Sequence, residues 1–259
     1  MPNLIYAVIL AAIWWPSDAT AATDFIPDCA GHVEIAHARV VTVEKNGALV
    51  LEDGRAVVLE GIRLPGADGA PQELAVRALA NLREMTLAEP VTFTAVQPKK
   101  DRYGRVRAQA FGARWLQIAL LEHGLARVAI SPDRNECAPD FYEAEQRGRA
   151  RHAGLWALSG SAPRAPEAMK GAGAGSFQIV EGRVTNVARN NGLVFIDFDG
   201  NGRRVFSAVV QPEDRRAFRD FDLEGLAARH IRIRGIVEVY RGQKQIALSN
   251  PSQIEILDK

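Results

Sequence analysis

Short apolar, β-branched runs separated by turn residues recur along most of the chain, and before residue 156 the hydrophobic period changes to a helical one in three places. Residues 38–43 and 48–51 read as strands, Asp53-Gly54 is a hairpin turn signal, and 56–62 returns as the next strand. Two more strands, 91–96 and 106–111, flank the charged turn Asp101-Arg102-Tyr103-Gly104-Arg105. In 71–85 the apolar positions Leu74, Ala75, Ala78, Leu79 and Leu82 fall at helical spacing, predicting an amphipathic helix laid against the strands. A second helix is expected over 116–123, stopped by Gly124, and a third over 139–154, opened by Pro139 and closed by Gly154.

After Trp156 the pattern breaks. Residues 159–166 read Ser-Gly-Ser-Ala-Pro-Arg-Ala-Pro and 171–175 alternate Gly with Ala, so 159–175 is expected to be a flexible linker. Beyond it, 178–187, 193–198 and 204–210 read as strands, with Asp199-Gly200-Asn201-Gly202 as a turn. A helix is expected over 212–221, then a hairpin of 230–240 and 245–249 about Arg241-Gly242, and a closing run 253–257. Three strands, a helix and two strands is the order of a small OB-type barrel. The expected organisation is therefore a first domain over 23–158, the linker, and a second β-barrel over 176–259.

Composition changes this picture little. The chain has 259 residues, 47% of them hydrophobic, enough for two cores, and a formal net charge of +1 supplies no global field for nucleic acid or an anionic surface. Binding to a polyanion must therefore come from a local patch. One candidate is the 101–105 turn, where Gly104 allows the bend and Arg102, Arg105 and Arg107 gather with Lys99 and Lys100 at a hairpin end. Such a cluster either holds a phosphate or is an ordinary solvated tip.

The amino-terminal stretch reads as a signal peptide over 1–22. Residues 4–15 are an apolar run too short to cross a bilayer comfortably, and Ala19-Thr20-Ala21-Ala22 offers an Ala-x-Ala cleavage site. The alternative is an uncleaved anchor, since Met1-Pro2-Asn3 carries no Lys or Arg. Cleavage would leave a mature chain with no transmembrane span, periplasmic or secreted. Cys29 and Cys137 are the only two cysteines, and an oxidising compartment allows one disulfide between them; two unpaired thiols are the alternative. The five His residues are scattered and make no ligand pattern.

The order Asp53-Gly54-Arg55, Gly61-Ile62-Arg63-Leu64-Pro65, the 101–105 turn, Gly124-Leu125-Ala126, and Glu145 followed by Gly154-Leu155-Trp156 resembles the staphylococcal-nuclease-like (thermonuclease) family over residues 38–156. The resemblance implies an α+β, mainly β, domain: a five-stranded OB barrel with three helices and a calcium-dependent phosphodiesterase site on its face. The disulfide would then tie the segment before the first strand to the start of the last helix.

That chemistry needs carboxylates for calcium, a carboxylate to activate water, and two guanidinium groups for the phosphorane charge. On the family's register, Gly47 stands where the first metal Asp belongs, Arg63 where the second belongs, Gly66 at the general-base Glu and Val58 at the first catalytic Arg. Of the catalytic positions only Arg105 is retained. A register slid five residues later would recruit Arg63, Asp68 and Glu73 beside Arg105, but an odd shift turns a strand's buried side chains outward, and it sets Pro65 inside a strand.

The expected function is thus an exported, catalytically degenerate thermonuclease-like binding module with no metal cofactor. Lys45, Arg63, Arg102 and Arg105 are its candidate anion-binding residues, and an anionic ligand, nucleic acid or an envelope protein its partner. An active calcium-dependent nuclease using the slid register is the alternative. In the second barrel, Arg232 and Arg234 with Phe195, Phe198, Phe206 and Tyr240 suggest a single-strand binding face, against a protein-contact or stabilising role.

Overall fold

The computed structural model describes residues 26–66, 70–200 and 203–258. The signal peptide expected over 1–22 and the candidate residue Asp68 lie outside the described residues.

In the first half, β1 (Val33–Ala38), β2 (Val40–Val43), β3 (Leu49–Leu51), β4 (Ala56–Leu59) and the two-residue β5 (Ile62–Arg63) precede α1 (Gln72–Leu87). Then come β6 (Val91–Lys100), β7 (Val106–Phe111), α2 (Leu116–Glu122), β8 (Arg127–Val128) and α3 (Ala138–Ala150). The sheet order is β1-β6-β7-β4-β3-β2. Only Arg39 separates β1 from β2, so one bent strand pairs with β6 at one end and β3 at the other, and the sheet closes on itself. The pairing of β4 with β7 is parallel and the others are antiparallel. This is the expected OB barrel, with its interior filled by Leu49, Leu51, Val57, Phe93 and Ala108 under α1 and α2.

α1 buries Leu74, Ala78 and Leu82, the stripe its spacing predicted. The strand expected over 56–62 is broken at Glu60-Gly61, where the chain leaves the barrel; β5 pairs instead with β8. Pro65 therefore follows the strand rather than interrupting it. Cys29 and Cys137 are disulfide-bonded, with Cα atoms 5.1 Å apart, fastening the segment before β1 to the N-cap of α3. No helix among the described residues is long and apolar enough to cross a membrane.

The second half contains β9 (Phe177–Asn190), β10 (Leu193–Gly200), β11 (Arg203–Val210), β12 (His230–Tyr240), β13 (Gln243–Leu248) and β14 (Ile254–Ile256). β12 pairs with both β9 and β13, and β11 runs parallel to β13, which closes a second barrel of the same topology as the first. Phe198 and Phe206, candidates for base stacking, lie in its core. The helix expected over 212–221 is reduced to a 3-10 turn, Arg215–Phe218, that drives Phe218 into that core. The stretch 159–175 differs from a free linker as well. Pro166–Gly171 forms a 3-10 helix whose Met169, with Ala172, is buried among the second barrel's apolar side chains.

The two barrels dock. Arg234 of β12 is 1% exposed and its guanidinium reaches Glu145 of α3, Glu255 of β14 and the backbone oxygen of Val128. The ring of Tyr142 lies 4.5 Å beneath it, and the Tyr142 hydroxyl donates to the Ser252 carbonyl. Nearby, Trp156 packs with Phe177 and Ile179 of β9 and with Ala129. Arg232 is held by Glu181 and Glu255. The pair read as a nucleic-acid face is thus consumed internally: the register sets Glu181 and Glu255 opposite Arg232, while Arg234 is taken by Glu255 and by Glu145 of the docked α3.

Candidate anion site

The turn after β2, the β4–β5 segment and the end of the β6–β7 hairpin meet around a cavity of ≈ 540 Å³. Val58 and Leu59 come from β4, Ile62 and Arg63 from β5, and Leu79 from α1; Lys45 and Gly47 come from the turn and Arg105 from the hairpin. Lys45, Arg63 and Arg105, predicted to converge, all line it. Gly47, Val58 and Gly66, which the resemblance aligns with a metal carboxylate, a guanidinium and a base, line it too. Two predicted residues stand apart from this lining. Arg102 lies over the exposed Tyr103 ring, 4.8 Å from its centroid, and Glu73 sits in the first turn of α1.

Arg105 is anchored before any ligand arrives. Its Nε and Nη2 hold one oxygen of Asp101 at 2.8 and 2.7 Å, and its guanidinium also lies 5.0 Å from the Tyr103 centroid. Burial on its own would raise the Asp101 carboxyl, but hydrogen bonds from the Arg105 side chain and from the Arg105 and Tyr103 backbone outweigh it and hold it below the usual range. The residue is thus fixed in place while one carboxylate offsets part of its charge.

Arg63 is held differently. Its guanidinium lies 5.9 Å from the centroid of the Phe177 ring, and its buried Nε has no hydrogen-bond partner among the described residues. Glu60, three positions before it, is engaged elsewhere, by Arg107 at 2.9 Å and by the Ser131 hydroxyl at 2.6 Å. Phe177 is the residue sequence reasoning missed. It lies 114 positions from Arg63 in the other barrel (177 − 63), and no local pattern links the two.

Backbone conformation disfavours a carboxylate at two of these positions. Gly47 has φ +86°, and a Cβ there would sit 2.3 Å from Leu64 Cδ1. Gly66 has φ +142°, a region L residues rarely enter. Both turns are built for glycine, so neither position accepts Asp or Glu without rearrangement.

Calcium requires six to eight oxygen ligands, with carboxylates prominent among them. Among the described residues the cavity lining contains three cationic side chains and no Asp or Glu, and Asn46 spends its amide on Glu44 and Ala48. These residues do not fit calcium. They suit an anion, which guanidinium and ammonium groups bind by charge-assisted hydrogen bonds.

Residues 56–158 match the family model described as staphylococcal nuclease homologue. The match begins at β4, and the barrel topology extends the same domain back to Val33. No curated protein matches the chain.

Proposed function

We propose that this chain, whose residues 56–158 match the staphylococcal nuclease homologue model within an OB barrel that starts at Val33, is an exported binding protein whose cleft takes a phosphate-bearing anion and does not cleave phosphodiesters. The observation that carries the reading is the sign of the cleft: Lys45, Arg63 and Arg105 line it, with glycine or valine where the family's metal, base and first guanidinium roles fall. Arg105 would contact the anion, with Arg63 and Lys45 neutralising it, while Val58, Leu59 and Leu79 supply an apolar wall. Export is supported by the apolar run at 4–15 and by the Cys29–Cys137 disulfide, which persists in oxidising compartments. Nucleic acid is one source of such a phosphate, through a strand end or backbone.

The test uses purified full-length mature protein. Denatured DNA incubated with calcium should release no nucleotides above background, while calorimetric titration should detect phosphate binding that Arg63→Ala and Arg105→Ala weaken. Calcium-dependent hydrolysis abolished by Arg105→Ala, Asp68→Asn or Glu73→Gln would overturn the proposal in favour of the slid register.

A further inference from the structure

The cleft belongs to the first barrel, yet one of its three cations is held by the second. Arg63 ends β5, the short strand that has left the barrel, and among the described residues no carboxylate forms an ion pair with its guanidinium. What faces it is Phe177, the first residue of β9, itself buried against Trp156 and Ile179 at the domain junction. The choice of partner matters chemically. A carboxylate at that place would orient Arg63 and also cancel its charge, whereas an aromatic face attracts the cation through its quadrupole and leaves the full charge available to a ligand.

We propose that Phe177 is a positioning residue for the anion cleft: the second barrel completes the site by holding the Arg63 guanidinium, so that phosphate affinity depends on the docked arrangement of the two barrels. This rests on the anion-binding reading of the cleft. It assigns the second barrel a role at the site that requires no nucleic-acid face of its own. It also explains why Arg63 can occupy a place where the family has a metal carboxylate: its neighbour across the junction is an aromatic face, which attracts a cation.

The experiment is a double-mutant cycle on the full chain. Wild type, Arg63→Ala, Phe177→Leu and the double variant are titrated calorimetrically with inorganic phosphate and with a 5′-phosphorylated thymidine decamer. Each single substitution should weaken binding about three- to tenfold, within the range of a partly desolvated cation–π contact. Phe177→Leu should have no further effect once Arg63 is Ala, and Phe177→Tyr, which keeps the ring, should bind like wild type. Comparing the probes tells a free anion from a nucleic-acid end, and either supports the proposal if the cycle holds. Phe177→Leu binding like wild type overturns it. So does an equal loss in the Arg63→Ala background, which would reflect a general structural effect, or a weakened Phe177→Tyr whose melting temperature is unchanged. If wild type binds neither probe, the anion-binding reading fails and this proposal with it; if wild type binds and only the cycle fails, that reading survives.

Discussion

Arg234 and Glu145 form an ion pair across the two barrels, Nη1 to Oε2 3.0 Å, with exposures of 1% and 0%. Burial on its own would raise the Glu145 carboxyl, but Arg234 and Arg149 outweigh it and the group is held below its ordinary range. Arg234 is shifted the other way: burial opposes its charge, yet Glu145, Tyr142 and Glu255 keep it protonated. Removing Arg234 leaves the buried Glu145 with Arg149 alone, and removing Glu145 leaves the buried Arg234 with Glu255 alone. Glu145→Gln or Arg234→Met should each destabilise the chain by about 3 to 5 kcal/mol, read from urea unfolding. A loss under about 1 kcal/mol for both would show that the barrels dock without this pair.

Reduction of the disulfide should be costly. The Cys29–Cys137 bridge spans 108 positions, and opening so long a loop releases chain entropy in the unfolded state worth about 2 to 5 kcal/mol. Denatured, non-reduced protein should show no reactive thiol, and two free thiols would contradict the bridge.

Calcium at millimolar concentration should leave the melting temperature unchanged, since only a ligand selective for the folded state stabilises it. Gly47→Asp should not introduce calcium binding, and the forced left-handed backbone should cost about 1 to 2 kcal/mol. A rise of several degrees with calcium in wild type would mean the cleft holds carboxylates from outside the described residues.

Acid sensitivity has an identifiable contributor at Asp133. Burial would raise this carboxyl, but hydrogen bonds from Lys99 and Arg107 prevail and bring it down to about 2. A folded pKa below the ordinary carboxylate value means its contribution is complete above about pH 4 and is lost as the pH falls through about 2. Asp133→Asn should remove up to about 1 kcal/mol at neutral pH, the group being partly exposed. The difference from wild type should shrink as the pH falls through about 2 and vanish about one unit below it; one that persisted there undiminished would exclude the charge as its cause.

Both barrels were legible because their signals are local: turn residues between β-branched runs, and a period of 3.6 in α1. The cleft was legible through one motif register, which fixed Gly47, Val58, Gly66 and Arg105 at once. The junction was not. Arg232 and Arg234 alternate with Ile231 and Ile233, the pattern of a strand with a solvated face, and only the docked partner turns that face inward. Glu145 lies 89 positions earlier, beyond the reach of any periodicity argument. The composition of 159–175 also misled, since Gly and Ala dominate it; the single signal against a free linker was Met169, whose apolar side chain fills the second core.

Because that segment belongs to the second barrel, the tether between the barrels is very short. Trp156 is packed at the junction, and by Arg164 the chain is already bonded to Ile179 of β9. A tether of this kind holds its two ends at a local concentration on the order of millimolar. An interface that would join free partners only near 0.1 mM would therefore stay closed about nine-tenths of the time, whatever the protein's own dilution. Secretion into a large volume would not separate the barrels, and a single cut in the tether would expose their contact to dilution for the first time.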